Sequence, residues 1–226
     1  MPDPSLLGLL DSSSWARTLT PEQRTLVENN TVVKHIAAGG FVCSKGESVD
    51  HWIGIVKGLV KMASISADGK PTTFTGIRDG GWFGEGSLLK DEMRRYDIVA
   101  LRETTAAYVT RAAFLQLLDE SVGFNRFLVR QFNERLGQFI ALVEHDRMLD
   151  GVARVARSVA WLFNPVLNPR VGASLDISQE EVGQLAGVSR QVANRALQIL
   201  EAEGLLSPTP AGLKPLDLAG LARYGE

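Results

Sequence analysis

Cysteine, long apolar runs and net charge are all scarce in this sequence of 226 residues. The single cysteine, Cys43, excludes an intrachain disulfide framework and supplies too few thiolates for an iron–sulfur cluster. No stretch approaches the roughly 20 apolar residues that span a bilayer. The sequence starts without the positively charged segment of a secretory signal, so we expect a cytoplasmic protein that does not bind membranes. Because the formal net charge is only −2, contact with a polyanion has to come from locally placed charges.

Catalytic motifs are missing as well. The sequence has no Gly-x-Ser-x-Gly, no His-Glu-x-x-His and no full Walker glycine loop. The only candidates for acid–base chemistry near a possible pocket are four acids without a nucleophile and base pair beside them: Glu85, Asp91, Glu92 and Asp97. We therefore expect neither an enzyme nor a metal site.

Haem needs only one or two ligands, which leaves His35, His51 and His145 as candidates. Lone histidines are more often surface or structural groups, and this is the reading that we favour. Cys43 is likewise expected to be a small buried or half-buried strand residue, and not a redox switch.

Short apolar runs separated by glycine fill the segment from Thr31 to about Thr110. The runs cover residues 31–36, 41–43, 52–56, 59–65, 72–77 and 98–109. This rhythm of strands and turns is typical of a β-sandwich or barrel-like roll. Before it, Thr20 followed by Pro21 predicts the start of a short helix.

After Arg111 the apolar period changes to three or four residues, which predicts a long amphipathic helix over about 123–149. Its apolar positions are Phe124, Leu128, Phe132, Leu136, Phe139, Val143 and Met148 or Leu149. This apolar stripe is longer than a small β-roll needs to cover its own core. We therefore expect the helix to pack against a second copy in a homodimer. Packing of the whole helix on its own domain is the alternative.

Two helix starts that lie only eleven residues apart mark the C-terminal region. Ser178 and Glu181 fit a capping box, and Ser189 offers a second N-cap. Gly187 permits a tight turn between them, as in a helix-turn-helix. Turn signals at 164–165 and 168–169 set the region off as a separate domain, and residues 205–215 predict a short hairpin, or wing, whose prolines limit its strand pairing.

The second of these helices is predicted to turn a polar face outward. Placing Val192, Ala196, Leu197 and Leu200 inward leaves Arg190, Gln191, Asn194, Arg195 and Gln198 outside. Arginine matches guanine and the amides match adenine, whereas a merely solvated face would more often carry lysine and glutamate. The sequence therefore predicts a reader of double-stranded DNA. Residues 151–226 contain seven basic and seven acidic residues, so we expect modest non-specific affinity and dimeric docking at two half-sites.

The segment Ser-Arg-Gln-Val-Ala-Asn-Arg at 189–195 resembles the recognition-helix motif of the cyclic-AMP receptor protein and fumarate-nitrate regulator (CRP/FNR) superfamily of bacterial transcription regulators. The likeness extends to Ile-Val-Lys-Gly at 55–58, Phe-Gly-Glu at 83–85, the long helix and Asp150 at the hinge. It implies an α+β fold with a cyclic-nucleotide-binding β-roll (a double-stranded β-helix) over 1–122, a dimerisation helix over 123–149 and a winged helix-turn-helix over 150–226.

The resemblance also implies which residues contact DNA: Ser189, Arg190, Gln191, Asn194, Arg195 and Gln198. Where the family usually has glutamate, this chain has Gln191, which can donate as well as accept a hydrogen bond. We therefore expect an operator related to the TGTGA-like half-sites of the family but altered at the position that Gln191 reads.

A glycine-rich segment at 80–89 could cradle a phosphate with its free amides, although glycines at the corners of a roll more often serve turns. By resemblance, the effector site comprises Gly84, Glu85, Gly86, Ser87, Arg94, Arg95, Phe139 and Ile140. Glu85 and Arg94 favour an anionic ligand. Phe139 and Ile140 stand where the family uses Thr-Ser to hydrogen-bond adenine, and they argue against ordinary cyclic AMP. Another cyclic nucleotide, a different small effector, or no effector all stay open.

The resemblance implies three partners: a second copy of the chain, a two-fold operator, and RNA polymerase. Ligand binding would then change the distance and tilt between the two recognition helices, and the protein could activate or repress transcription. An effector-independent regulator is one alternative. A cyclic-nucleotide-binding module that acts on protein partners is another, and it would not need an outward Arg190, Gln191 and Arg195.

Overall fold

The computed structural model describes residues 3–65, 71–146, 150–170 and 172–225. The α-helices in this part of the chain are α1 (Pro4–Ser12), α2 (Pro21–Asn29), α3 (Glu85–Lys90), α4 (Arg111–Glu120), α5 (Val122–Asp146), α6 (Gly151–Leu162), α7 (Gln179–Ala186), α8 (Arg190–Ala202) and α9 (Leu218–Ala222), with a 3-10 turn at Ala16–Thr18. The strands are β1 (Thr31–Ile36), β2 (Phe41–Cys43), β3 (His51–Lys57), β4 (Leu59–Ile65), β5 (Pro71–Arg78), β6 (Trp82–Phe83), β7 (Asp97–Ala100), β8 (Thr104–Thr110), β9 (Leu175–Asp176), β10 (Leu206–Thr209) and β11 (Gly212–Pro215).

Two antiparallel four-stranded sheets form the N-terminal roll. One has the order β1-β8-β3-β6 and the other β2-β7-β4-β5. The apolar interior between them belongs to alternate strand residues such as Ile53, Ile98 and Ala106. The predicted α+β class and the β-roll are confirmed. The single run expected over 98–109 is wrong, because bends at 101–103 divide it into β7 and β8, which lie in different sheets.

Helix starts follow the capping chemistry of the sequence. Thr20 accepts a hydrogen bond from the amide of Gln23, whose side chain in turn accepts from the amide of Thr20, and Pro21 occupies the first turn of α2. This confirms the helix predicted from Thr20 and Pro21.

A cluster of aromatic rings joins the N-terminal helices to the roll. Trp52 stacks on Trp82 with ring centroids 4.2 Å apart, and Trp15 meets both rings at 5.0 and 5.2 Å. Phe124 at the start of α5 packs edge-on against Trp15 and Trp52. The beginning of the long helix is therefore fixed to its own domain by large apolar side chains.

Helix α5 has two distinct faces. The inner face follows a spacing of four and three residues and changes along the helix from apolar to polar: Phe124, Leu128, Gln131, Arg135 and Gln138 are all buried. The outward stripe consists of exposed apolar residues: Val129, Phe132, Leu136, Ile140 and Val143. The single stripe predicted from the sequence mixed these faces, because it placed Phe124 and Leu128, which the roll buries, in line with Phe132 and Leu136. The predicted end of the helix at 147–149 lies outside the described residues.

The C-terminal domain packs α6, α7 and α8 on a small sheet of order β10-β11-β9. Pro208 lies in β10, an edge strand, where its missing amide is tolerated. The apolar core of this domain also takes in Leu59 of β4, with Leu101 packed against it. At Gly76 of β5, an added Cβ would come within 2.8 Å of Leu162 and 3.0 Å of Leu185. The lack of a side chain at this strand position is what lets the two domains pack together here.

None of the helices in the described part of the chain is long and apolar enough to cross a membrane.

Candidate DNA-reading helix and effector pocket

The helix-turn-helix is built as its caps predict. Ser178 Oγ accepts from the amide of Glu181 at 3.2 Å, and the Glu181 carboxylate accepts from the amide of Ser178 at 2.7 Å. Gly187 ends α7 with φ at 64°, a left-handed conformation that favours glycine. Ser189 Oγ then accepts from the amide of Val192 at 3.3 Å and starts α8. The tight turn fixes α8 relative to α7.

The outer face of α8 carries the residues that the sequence assigned to DNA. Arg190, Gln191, Arg195 and Gln198 are exposed, as is Ser189 at the N-cap. Asn194 is half-buried, and its Nδ2 donates to Oε1 of Gln179 at 3.0 Å. The first turns of the helix thus present two guanidinium groups and two free amides to solvent.

The inner line of α8 differs from the predicted one at Val192. Ala193, Ala196 and Leu200, at positions i, i+3 and i+7, are fully buried, whereas Val192 is 41% exposed. The prediction that Val192 faces inward is wrong, because Ala193 takes the inner position and Val192 lies at the edge of the helix beside Gly151 of α6.

An ion pair links the first helix of the motif to the roll. Arg102, in the bend between β7 and β8, donates from Nε and Nη2 to the two carboxylate oxygens of Glu181, both at 2.7 Å. It also donates from Nη2 to the carbonyl of Asp176 at 3.1 Å. Burial raises the pKa of Glu181, but the hydrogen bonds from Arg102 and Ser178 outweigh it and hold that pKa below its ordinary value. The sequence reading missed Arg102, since no local pattern connects residues 79 positions apart.

The candidate effector loop lies between β6 and α3. Gly84 has φ at 97°, and Glu85 at the start of α3 is only 3% exposed. Glu85 Oε1 lies 3.4 Å from Nε of Arg135 on α5, while Glu85 Oε2 is buried without a hydrogen-bond partner among the described residues. Arg135 Nη2 donates to the carbonyl of Trp82 at 2.6 Å. A buried carboxylate with one free oxygen therefore faces the guanidinium of the long helix.

The two arginines predicted for this site have different surroundings. Arg94 is buried, with Nη2 donating to the carbonyl of His51 at 3.0 Å and with Nη1 unpartnered among the described residues. Its Nη1 would lie 2.9 Å from a Cβ added to Gly84, so the glycine makes room for the guanidinium. Arg95 is exposed and paired with Glu92 at 2.7 Å. The structure brings Arg94 to the loop and leaves Arg95 outside it.

Ser87 is buried on α3, and Gly86 is half-buried. Phe139 is half-buried on the interior of the roll, where its ring meets Phe74 edge-on at 6.3 Å. Ile140 is 52% exposed on the outward stripe of α5. Of the two residues that replace Thr-Ser, only Phe139 therefore lies on the interior of its own roll.

Sequence reading missed the buried polar residues of α5. Gln131 Nε2 and Gln138 Oε1 have no partner among the described residues, and Gln138 Nε2 donates to Thr75 Oγ1. Together with Arg135 they occupy the inner face at a spacing of four and three residues, about one, two and three turns after Leu128. The sequence did contain a sign of this arrangement: the spacing of four and three residues that begins with Phe124 and Leu128 continues with polar residues, which are rarely buried unless they are hydrogen-bonded.

The cysteine and the histidines have the surroundings of structural or surface residues. Burial raises the pKa of the Cys43 thiol to about 11, which leaves it protonated and unreactive. His35 Nδ1 lies 3.0 Å from Thr105 Oγ1 at the surface, and the side chain of His145 lies outside the described residues. His51 is half-buried edge-on to Tyr108, at 5.9 Å, and burial followed by the charge of Lys34 lowers its pKa.

Comparison with known proteins matches both halves of the chain. The family model for a cyclic nucleotide-binding domain matches residues 33–121, and that for a Crp-like helix-turn-helix domain matches residues 153–224. The cAMP-activated global transcriptional regulator CRP of Pasteurella multocida is 28% identical over 166 residues, which cover 72% of this chain and 79% of the relative. The cAMP-activated regulator Vfr of Pseudomonas aeruginosa is 26% identical over 179 residues, with 76% and 84% covered.

Solved structures share the fold. The catabolite activator protein of Thermus thermophilus superposes with a TM-score of 0.52 at 22% identity and covers 93% of this chain and 98% of its own. The c-di-GMP responsive global regulator CLP of Xanthomonas campestris gives 0.61 at 20% identity, with 87% and 99% covered. The two family matches span more than half of the residues, and the curated relatives are transcription regulators and not enzymes. The chain therefore belongs to the CRP/FNR superfamily and is a CRP-type transcription regulator with a cyclic-nucleotide-binding domain and a DNA-binding helix-turn-helix.

Proposed function

We propose that this regulator is a cytoplasmic homodimer that reads a two-fold operator through α8 and is controlled by a small anionic effector in the β-roll. The exposed polar face of α8 is the observation that carries the DNA-reading part. Arg190, Gln191 and Arg195 would contact base edges, with Ser189, Asn194 and Gln198 beside them. RNA polymerase would be the further partner of the DNA-bound dimer.

Support for a dimer comes from the outward stripe of α5. Its members follow one another at intervals of three and four residues, and Leu136 and Val143 are 59% and 61% exposed. A stripe with this period is buried when two such helices pack side by side. Two copies would place two recognition helices for two half-sites about one turn of DNA, or ~34 Å, apart.

Support for an anionic effector comes from unpartnered buried groups. Arg94 Nη1 and Glu85 Oε2 are buried without partners among the described residues, and a ligand with both an acidic oxygen and a hydroxyl would satisfy them. Arg135 would contact the same ligand from α5. Gly84, Gly86 and Ser87 would add amides and a hydroxyl, Phe139 would line the inner end, and Arg95 and Ile140 would take part only at the margin or across the dimer.

The identity of the effector is a separate proposal. The curated relatives are named as cAMP-activated and one structural neighbour as c-di-GMP responsive. Phe139 and Phe74 fill the end of the roll with aromatic rings that offer no hydrogen bond to a base. We propose that the effector is an anion other than ordinary cyclic AMP.

Three segments make up the proposed organisation: a sensor over 1–122, a dimerisation helix over 123–149 and a DNA-binding domain over 150–226. Asp150 supports a hinge at the last boundary, because its Oδ1 accepts from the amides of Val152 and Ala153 at 3.0 Å and caps α6. Effector binding beside Arg135 would shift α5 and, through this hinge, the spacing of the recognition helices.

Selection of bound duplexes from a randomised pool by the purified full chain tests the DNA-reading part. We expect a two-fold motif, and we expect Arg195→Ala to lower its affinity by about 10- to 100-fold while the far-UV circular dichroism stays unchanged. Lys214→Ala in the wing is the matched control, because loss of a phosphate contact weakens all sequences alike. Selection of no motif, or of the same motif by Arg195→Ala, contradicts the proposal.

Thermal unfolding with cyclic AMP, cyclic GMP and cyclic di-GMP tests the effector part. We expect a rise in the melting temperature with one of the last two that exceeds the rise with cyclic AMP, and its loss in Arg94→Gln. A response to cyclic AMP alone, or one that Arg94→Gln leaves intact, contradicts this assignment.

A further inference from the structure

The segment that follows α6 lies against the sensor. Residues 163–170 have the sequence Phe-Asn-Pro-Val-Leu-Asn-Pro-Arg, and we call them the strap. Leu167 and Asn168 are buried, and Asn164 and Arg170 are half-buried. Connecting segments normally run over the surface with their polar groups in water, so the contacts of this one need an explanation.

Asn164 fixes the start of the strap. Its Oδ1 accepts from the amides of Val166 and Leu167, both at 2.9 Å, which closes a turn. Its Nδ2 donates to Oε2 of Glu134 on α5 at 2.8 Å. The turn that leaves α6 is therefore held against the long helix.

Asn168 joins the middle of the strap to strand β5. Its Oδ1 accepts from the amide of Arg78 at 3.0 Å, and its Nδ2 donates to the carbonyl of Trp161 at 3.2 Å. The residue is only 2% exposed, so its amide group meets protein and not water. One side chain thus links the end of a sensor strand to the last turn of α6.

Two glycines of the sensor make room for the strap. A Cβ added to Gly81 would lie 2.9 Å from the carbonyl oxygen of Leu167, and one added to Gly80 would lie 2.9 Å from Cγ of Arg170. Gly80 also has φ at 83°, in the left-handed region that favours glycine. The glycine-rich segment that begins at residue 80 therefore serves, at its first two positions, a turn and the close approach of the strap.

Arg170 ends the strap with three hydrogen bonds to the sensor. Its Nε donates to Oγ of Ser12 at 2.7 Å, and its Nη2 donates to the carbonyl of Gly8, both in α1. Its Nη1 donates to the carbonyl of Val56 in β3 at 3.1 Å. A guanidinium presents its donors in a rigid planar fork, so three acceptors around it fix its orientation as well as its position.

The docked position leaves the reading face of α8 free. Arg190, Gln191 and Arg195 are exposed while the strap holds their domain on the sensor. The strap therefore limits how the domain can turn about the hinge at Asp150 without covering the surface that reads DNA. Two domains that are each held in one orientation present their reading helices at one spacing, and they have less freedom to lose on binding.

We propose that Arg170 is a positioning residue for operator binding, which holds the DNA-binding domain through α1 in the orientation that reads two half-sites. Helix α1, at the other end of the chain, then takes part in the control of DNA binding. This role rests on the dimer and on the DNA reading proposed above, whereas the contacts of the strap do not depend on them.

The duplex that the native full-length protein selects is the probe, together with derivatives in which the half-sites are moved apart by one and two base pairs. We expect Arg170→Gln to bind the selected duplex about tenfold more weakly, because a freed domain has to be ordered on binding. The native protein should prefer the original spacing by about tenfold or more, and Arg170→Gln by less than about threefold. Partial unfolding would lower all the affinities alike and leave this preference unchanged.

Three further variants define the cause. Arg170→Lys keeps the charge but replaces the planar fork with a single ammonium group, so we expect it to behave like Arg170→Gln. Arg223→Gln removes an exposed charge from the same domain and should keep the native spacing preference. Ser12→Ala removes one acceptor on the sensor side, which makes it a milder second variant. It should weaken the spacing preference in the native background and add nothing in the Arg170→Gln background.

Hydrogen exchange of the protein without DNA tests the strap independently of DNA reading. Arg170→Gln should increase the exchange of amides in α1 and at residues 78–81, and Arg223→Gln should not. Unchanged exchange in α1 overturns the proposal, because Arg170 would then not hold that helix.

Two results with DNA also overturn it. One is a native spacing preference in Arg170→Gln, and the other is tighter binding of the selected duplex by this variant, since the strap would then hold the domain away from the operator. Either result leaves the DNA-reading proposal intact, because the native protein has selected a duplex. Selection of no duplex by the native protein instead overturns DNA reading and, with it, this role of Arg170.

Discussion

Arg102 of the sensor donates hydrogen bonds to both carboxylate oxygens of Glu181. Glu181 also belongs to the capping box of α7, the first helix of the helix-turn-helix, where its carboxylate accepts from the amide of Ser178. The same carboxylate thus starts α7 and docks it on the roll. A side chain that serves a local cap and an interdomain contact couples the position of the DNA-binding domain to the stability of its own helix start.

Replacing Arg102 by Gln is expected to lower the free energy of unfolding by about 1–3 kcal/mol, because the Glu181 carboxylate loses its charged donors while it remains largely buried. Urea unfolding at pH 7 measures the change. Arg95→Gln, which breaks the exposed pair with Glu92, is the matched control and should have no measurable effect. An equal loss in both variants would mean that Arg102 contributes only as a surface charge.

The contribution of this ion pair should depend on pH in one direction. The folded-state pKa of Glu181 lies below its ordinary value of 4.5, so its stabilising effect is complete above that value and is lost as the pH falls through the folded pKa. The difference in unfolding free energy between the native protein and Arg102→Gln should therefore be constant from pH 7 to about 5.5 and shrink below pH 4.5. Denaturant titrations at half-unit steps of pH measure it, and a constant difference down to pH 3 would contradict the assignment.

Leu136→Glu is expected to convert the proposed dimer to a monomer, because it puts a charge in the middle of the outward stripe of α5, where a partner helix would bury it. Light scattering during size-exclusion chromatography measures the mass. Arg130→Glu introduces the same side chain at an exposed position of the same helix, about 100° or more from Leu136 around the helix axis, and should stay dimeric. If both variants keep the mass of the native protein, the stripe is not the dimer interface.

Gln191→Glu should change the selected operator at a single position in each half-site. Glutamate only accepts hydrogen bonds and favours cytosine, whereas glutamine also donates and matches adenine. Duplex selection with both proteins compares the two motifs, and we expect about a tenfold change in preference at that base pair. Identical motifs from the two proteins would show that residue 191 does not read a base.

The double change Phe139→Thr and Ile140→Ser restores the hydroxyl groups that the family resemblance places on the long helix. If Glu85, Arg94 and Arg135 hold a nucleotide as proposed, the variant should bind cyclic AMP about tenfold more tightly than the native protein, which corresponds to one added hydrogen bond of ~1.4 kcal/mol. Isothermal titration calorimetry measures this affinity. Arg130→Glu serves as the control, and a gain of affinity there as well would disconnect the effect from the two hydroxyls.

Local sequence patterns predicted most of the elements. The capping boxes at Thr20 and Ser178 and the N-cap at Ser189 depend on residues three positions apart, so spacing alone predicts where α2, α7 and α8 begin. The strand runs were predicted well for the same reason, apart from the bend at 101–103. The family resemblance likewise depended on short contiguous motifs, such as those at 189–195, 55–58 and 83–85.

Side chains that act over long sequence distances were not predicted. Arg102 meets Glu181, and Arg135 meets Glu85, across 79 and 50 positions, and only the folded topology brings them together. Arg95 was assigned to the effector loop by register alone, but in the irregular segment before β7 its side chain pairs with Glu92, whereas the side chain of Arg94 turns inward to the carbonyl of His51. Val192 and Ala193 are one residue apart, which is a rotation of 100° around the helix axis. The spacing of apolar residues in the sequence does not decide which of the two faces inward.

The apolar core of the DNA-binding domain includes Leu59 from the sensor. Gly76, in strand β5 of the sensor, leaves room for Leu162 of α6 and Leu185 of α7. The two domains are therefore not interchangeable cassettes. A chimera that joins this sensor to another helix-turn-helix at Asp150 would leave Leu59 uncovered unless the incoming domain matched it with apolar residues in place of Leu162 and Leu185. Recombination among such regulators should consequently favour exchanges in which strands β4 and β5 travel with the DNA-binding domain.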